Sequence, residues 1–95
     1  MNGRLEGKVA IVTGSTMGIG AAVARRFVDE GARVVINSHV DDAAAHALRE
    51  ELGGTRSLFV QADITEPAAM ERLAARTLER FGQVDILVNN AGVNV

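Results

Sequence analysis

The sequence predicts an α/β fold built on a parallel sheet, and three observations carry that prediction. Short apolar runs at Val9-Ala10-Ile11-Val12, Val34-Val35-Ile36, Leu58-Phe59-Val60 and residues 84–88 alternate with three stretches of helical periodicity, giving the order βαβαβαβ. The first run is continuously apolar, as expected of a strand buried on both faces. The connections are short, and the first holds the glycine-rich stretch Thr13-Gly14-Ser15-Thr16-Met17-Gly18-Ile19-Gly20 between a strand and a helix.

Each element follows from its own residues. Lys8 opens the first strand, the innermost of the sheet. The periodicity predicts a helix over 18–30, with Ile19, Ala22, Val23 and Phe27 on the apolar stripe, Arg25, Arg26, Asp29 and Glu30 largely opposite, and Gly31 as C-cap. A second strand over 33–37 turns polar at Asn37-Ser38-His39. It is followed by a helix over 41–52, where Asp41 and Asp42 complement the N-terminal dipole and Ala44, Ala45, Leu48 and Leu52 form a thin stripe ended by Gly53-Gly54. A third strand over 57–61 leads through Asp63-Ile64-Thr65 into a helix with Thr65 as N-cap and Pro67 in the first turn. Met70, Leu73, Ala74, Thr77, Leu78 and Phe81 mark its buried face and Gly82 its end. A fourth strand over 84–88 runs into Asn89-Asn90-Ala91-Gly92.

Right-handed crossovers place the first two helices on one face of the sheet and, with a reversal for the fourth strand, the third helix on the other. The expected strand order is 3-2-1-4, with the glycine loop at the switch point. A single domain is expected over residues 1–95, without repeats or low-complexity tracts.

Composition excludes several classes of function. An apolar fraction of 47% is ample for a core, and ten Lys plus Arg against twelve Asp plus Glu, scattered over helix faces, leave no basic footprint for nucleic acid. There is no cysteine, so neither a disulfide framework nor a thiolate metal site is expected, and His39 and His46 lack metal-ligand company. No segment reaches the ~18 consecutive apolar residues of a membrane span, and the first seven residues are too short and polar for a signal peptide. The expectation is a cytoplasmic protein with no nucleic-acid or membrane partner.

A strand, a glycine turn and a helix together form a phosphate-binding arrangement. Gly14 permits the sharp turn, glycine lets a ligand approach the backbone, and Gly18 and Gly20 allow close packing of helix on strand. The helix offers unpaired N–H groups and its positive dipole end to an anion.

Thr13 to Gly20 after the first strand, Asp63 after the third and Asn89-Asn90-Ala91-Gly92 after the fourth resemble the short-chain dehydrogenase/reductase family. Its N-terminal half carries Thr-Gly-x-x-x-Gly-x-Gly and Asn-Asn-Ala-Gly at these places. The resemblance covers nearly all of this chain and less than half of a family member. It implies a Rossmann-type domain, an incomplete doubly wound sheet with three helices. It also implies hydride transfer between NAD or NADP and an alcohol or carbonyl in a protein that is a homo-oligomer at full length. The family's catalytic serine and Tyr-x-x-x-Lys pair lie well beyond Asn-Asn-Ala-Gly, and this sequence contains no tyrosine. No catalytic residue is therefore assigned; Ser15 is read as a loop residue and Lys8 lies at the wrong end of its strand.

By the same resemblance, Gly14, Gly18, Ile19 and Gly20 hold the pyrophosphate, with the Ile19 side chain expected in the core. Ser15 and Thr16 donate to phosphate or adenosine-ribose oxygens, or are solvated loop hydroxyls. Ser38 occupies the position of an NAD-selecting aspartate and His39 the next. Asn37, Ser38 and His39 could donate together to a 2′-phosphate, which makes NADP the expected cofactor over NAD; a plain surface turn is the alternative. Asp63, with its neighbour Ile64, is expected at the adenine while also entering the helix. Asn89 is expected to tie the fourth strand to its neighbour, and Asn90, Ala91 and Gly92 to reach the nicotinamide-side ribose. His46 is expected to be solvated.

Two further readings stand beside an oxidoreductase portion: a non-catalytic nucleotide-binding module, and an inert remnant or interaction subunit that pairs its open sheet edge with another chain. With the fourth strand as an edge, the isolated chain is expected to self-associate.

Overall fold

The computed structural model describes residues 3–41 and 43–90. Strand β1 (Val9–Val12) is buried along its whole length and sits inside a four-stranded parallel sheet of order β3-β2-β1-β4, as expected. It pairs with β2 (Arg33–Ser38), placing Ile11 beside Val35, and with β4 (Ile86–Val88), placing Ile11 beside Leu87; β2 pairs in turn with β3 (Ser57–Gln61). Because successive side chains point to opposite faces, this register sorts the strands into two cores. Ala10, Val34 and Ile36 pack under α1 (Gly18–Asp29) and α2 (Ala43–Leu52). Ile11, Val35 and Val60 pack under α3 (Ala69–Phe81) on the other face. Among the described residues no helix is long and apolar enough to cross a membrane.

The buried stripe of α1 is rotated from the expected one. Gly20, Ala21, Ala24 and Val28 face the sheet, Val23 and Phe27 are half-buried, Ala22 is exposed and Ile19 is 61% exposed. Close approach explains the rotation. A Cβ on Gly20 would lie 2.5 Å from the Gly14 carbonyl oxygen and 2.8 Å from the Ser15 Cα, so only a hydrogen there lets the helix rest on the loop it leaves. With Gly20 pressed against the loop, the adjacent Ile19 is turned outward, which overturns the expectation that its side chain is in the core.

Helix α3 starts three residues later than expected, with its N-cap at Ala68 where Thr65 was expected. The Asp63 carboxylate accepts from both the Thr65 N–H (3.0 Å) and the Thr65 hydroxyl (2.6 Å), so that hydroxyl is engaged in a turn and caps nothing. Further turns follow, with Glu66 N–H donating to the Asp63 carbonyl and Ala69 N–H to the Glu66 carbonyl, so Pro67 precedes the helix. The N-cap is Ala68, which makes no side-chain capping bond. On the buried face Ala69, Leu73 and Thr77 are covered, whereas Leu78 is half exposed.

Helix α2 starts at Ala43; Asp42 lies outside the described residues. Its Ala45, Leu48 and Leu52 are buried as expected and Ala44 is half-buried. Strand β4 is shorter than the apolar run. Asp85 N–H donates to the Val9 carbonyl, but the return bond from Val9 N–H goes to the Asp85 carboxylate (2.8 Å), so a side chain ends the ladder where a backbone carbonyl would have continued it. Gln83 donates to the same carboxylate oxygen and to the Gly7 carbonyl, fastening the entrance of β4 to that of β1.

Candidate functional site

The glycine loop lies at the carboxyl end of β1, where the chain must turn sharply into α1. Gly14 (φ 59°) and Gly18 (φ 61°) both take the left-handed conformation that costs side-chain-bearing residues most. Met17 precedes the helix in extended conformation, with no capping side chain and no acidic residue in the first turn. That helix end therefore presents its N–H groups and dipole without an internal anion.

Asparagine side chains hold the loop from two directions. Asn37 Oδ1 accepts from the Gly14 N–H (3.2 Å), and Asn90 Nδ2 donates to the Gly14 carbonyl (3.0 Å), so both polar atoms of one peptide residue are gripped by side chains from the ends of β2 and β4. Thr13, fully buried, donates to Asn89 Oδ1 and accepts from the Asn90 N–H. That contact is the expected tie of Asn89 to the neighbouring strand. Ser15 is fully buried: its N–H donates to the Asn37 carbonyl (2.9 Å) and its hydroxyl accepts from the Asn37 N–H (2.8 Å). It is neither a solvated hydroxyl nor directed outward, and it works as a splint between loop and strand. Thr16 is half-buried beside it.

A cavity of about 290 Å³ opens beside the loop, lined by Gly14, Asn37, Ser38, His39, Ala62, Asp63, Ile64 and Thr65. The ends of β1, β2 and β3 thus meet around one space, and five of the sequence-derived candidates outside the glycine stretch, Asn37, Ser38, His39, Asp63 and Ile64, line it. A larger cavity of about 390 Å³ lies at the amino ends of the strands, lined by residues such as Glu6, Asp29, Arg33 and Arg56. None of the candidate residues is there, and in open α/β sheets ligands bind beyond the carboxyl ends.

One expectation at this cavity fails on geometry. Asn37 is 1% exposed, its Oδ1 holds Gly14, and its Nδ2 donates to the Val60 and Ala62 carbonyls, both at 3.1 Å. With both N–H bonds committed, the side chain has no donor left for a phosphate. Ser38 is 8% exposed and its hydroxyl accepts from the Val40 N–H. His39 is exposed, and its carbonyl accepts from Gln61. The Asp63 carboxyl is held below its ordinary range, first by the Thr65 hydroxyl, then by the Thr65 N–H, with a smaller attraction from His39.

Residues 37–40 contain no carboxylate. Ala91 and Gly92 lie outside the described residues. Ala62 and Thr65 are cavity residues that the sequence did not reveal. The spacing of Asp63 and Thr65 carried a signal for a side-chain turn, whereas the carbonyls of Val60 and Ala62 carry none. His46 packs edge-on against Phe59 and pairs with Asp41, away from the cavity lining.

Comparison with known proteins agrees with this geometry. The chain is 48% identical over 89 residues to L-fucose dehydrogenase of Mus musculus, which covers 94% of this chain and 32% of that protein. It is 49% identical over 96 residues to the NADP-dependent (R)-specific alcohol dehydrogenase of Lentilactobacillus kefiri, covering 100% of this chain and 38% of the relative. Among solved structures, 3-ketoacyl-(acyl-carrier-protein) reductase from Brucella melitensis, complexed with NADH, superposes with a TM-score of 0.86 at 46% identity, over 94% of this chain and 36% of that one. The chain thus spans about a third of the length of these relatives. The family model for short chain dehydrogenases matches residues 8–95, and with the 3-2-1-4 sheet and the glycine loop at its switch point the chain belongs to the short-chain dehydrogenase family.

Proposed function

We propose that this chain is the N-terminal, dinucleotide-binding portion of an NAD(P)-dependent oxidoreductase acting on an alcohol/carbonyl pair. The observation that carries the reading is the double role of Gly14, which forms the turn into an uncapped helix N-terminus and also lines the cavity at the ends of β1, β2 and β3. The uncapped end suits a pyrophosphate and the cavity suits an adenosine, and the hydrogen at Gly20 keeps the two adjacent. NADH in the similar reductase structure and NADP in the name of the similar alcohol dehydrogenase support a nicotinamide dinucleotide.

In this reading Gly14, Thr16, Gly18, Ile19 and Gly20 hold the pyrophosphate, and Ser38, His39, Asp63 and Ile64 surround the adenosine. Asn90, Ala91 and Gly92 lead toward the nicotinamide-side ribose. Ser15 and Asn37 support the loop from beneath. The nicotinamide supplies or accepts a hydride when bound. The residues of this chain bind and orient it, and the proton transfer at the substrate oxygen belongs to groups outside these elements.

NADP is preferred over NAD. No carboxylate lies within residues 37–40 to accept from a ribose 2′-hydroxyl and repel a 2′-phosphate. His39 and Ser38 are the 2′-phosphate partners. The absence of cysteine fits a cytoplasmic setting.

Calorimetric titration with NADPH and NADH tests both levels. Tighter binding of NADPH is expected. NADH bound at least as tightly removes the NADP preference, and no binding of either removes the dinucleotide reading. Binding by the full-length protein without hydride transfer to any carbonyl substrate leaves a nucleotide-binding module.

A further inference from the structure

The fully engaged amide of Asn37 has a consequence beyond the fold. Its Oδ1 accepts from the Gly14 N–H, and its Nδ2 donates to the carbonyls of Val60 and Ala62, both at 3.1 Å, with the Ser38 carbonyl farther off at 3.5 Å. Only a side chain with an acceptor and two donors on one planar group meets that pattern: an aspartate accepts only, and a serine has a single donor. Glutamine carries the same group on a longer stem, into a site that is 1% exposed. The three backbone partners belong to the glycine loop, to β3 and to the segment just after β3. Gly14 and Ala62 both line the 290 Å³ cavity, so the amide spans from one wall to another. The Ser15 N–H donates to the Asn37 carbonyl and the Ser15 hydroxyl accepts from the Asn37 N–H, bracing the same junction.

We propose that Asn37 is a positioning residue for dinucleotide binding. It sets the spacing between the phosphate-binding loop and the adenosine wall formed by Ala62, Asp63 and Ile64. This inference rests on the nucleotide-binding reading above. Asn37 donates nothing to the ligand. It holds Gly14 and Ala62 at the separation that lets one molecule engage both, and it thereby couples recognition of the phosphates to recognition of the base.

The test uses the intact protein with three probes: NADPH, NADH and 2′,5′-ADP. Asn37→Asp keeps the size and shape but turns a carboxylate oxygen toward two carbonyls. It is expected to weaken NADPH and 2′,5′-ADP by the same factor, about tenfold or more. Leu52→Ala serves as the comparison. It removes buried side chain from the α1/α2 core, and Leu52 does not line the cavity. It is expected to lower the melting temperature at least as far while leaving both affinities unchanged.

The proposal is overturned if Asn37→Asp binds as the parent does, or loses no more affinity than Leu52→Ala at matched stability. It is also overturned if NADPH weakens while 2′,5′-ADP does not. Should the aspartate variant fail to fold, Asn37→Ser takes its place. If neither folds, Asn37 is a folding residue and the proposal falls. A parent protein that binds neither NADPH nor NADH overturns the nucleotide reading itself, an outcome distinguished by needing no variant.

Discussion

The Asn90 side-chain amide donates to the Gly14 carbonyl across 3.0 Å, and a Cβ on Gly20 would lie 2.5 Å from that same oxygen and 2.7 Å from the amide nitrogen. Three segments therefore converge on one carbonyl, and the fit tolerates no added atom. Gly20→Ala is expected to destabilise the protein by about 1–3 kcal/mol through overpacking against backbone. It should also weaken NADPH binding, because the loop must shift to admit the methyl group. Denaturant unfolding together with a cofactor titration checks both effects, and unchanged stability would show that the loop has slack.

Gly18→Ala should behave differently. Nothing lies within 4 Å of a Cβ at Gly18, but its φ of 61° is left-handed. The cost is therefore conformational, about 1–2 kcal/mol, and should appear in stability without the steric disturbance expected at Gly20. Comparing the two variants separates backbone strain from close contact.

The outward rotation of Ile19 makes a prediction opposite to the sequence pattern. Ile19→Thr should alter stability by no more than about 0.5 kcal/mol, as at an ordinary surface position. Ala24→Val, at a position with no exposed surface, should cost about 1–3 kcal/mol. If Ile19→Thr proves the more damaging on thermal denaturation, the observed phase of α1 is wrong.

Asp85 gives the pH dependence a definite sign. Its carboxyl is held below the ordinary carboxylate range, first by the Val9 N–H and then by the Gln83 amide. A carboxyl with a lowered folded pKa contributes stability above its unfolded value, near 3.9, and loses it as pH falls through the folded value. Asp85→Ala should therefore melt below the parent at neutral pH, and the gap should close on acidification below about pH 4. A gap that persists or widens in acid would assign the effect to something other than these hydrogen bonds.

Among the described residues strand β4 is an edge of the four-stranded sheet, with its Leu87 53% exposed and Val84, just before it, 38% exposed. An exposed apolar edge invites pairing, and a charge there opposes it. The 95-residue chain is expected to sediment as associated species, and Leu87→Lys should shift it toward monomer. A monomeric, cooperatively melting parent chain would contradict this.

Much of the architecture was legible in the sequence, because it depends on local pattern. The continuous apolar run over residues 9–12 specified a strand buried on both faces, Gly31 and Gly82 marked helix ends, and handed crossovers sorted three helices onto two faces. The glycine loop, the missing carboxylate after Ile36 and the Asn89-Asn90 pair could be placed at the carboxyl ends of the strands by topology alone. The structure decided what depends on contact between distant segments. Gly20 had to fit against Gly14, so α1 turned and Ile19 faced outward. The Asp63 carboxylate captured Thr65, so α3 began at Ala69. The Asn37 amide found one N–H and two carbonyls, so a residue read as a phosphate donor became internal support. Backbone groups at Gly14, Val60 and Ala62 are the partners that reassigned Asn37, and every residue but proline carries such groups alike. No sequence pattern marks them, and only the folded chain brings them together.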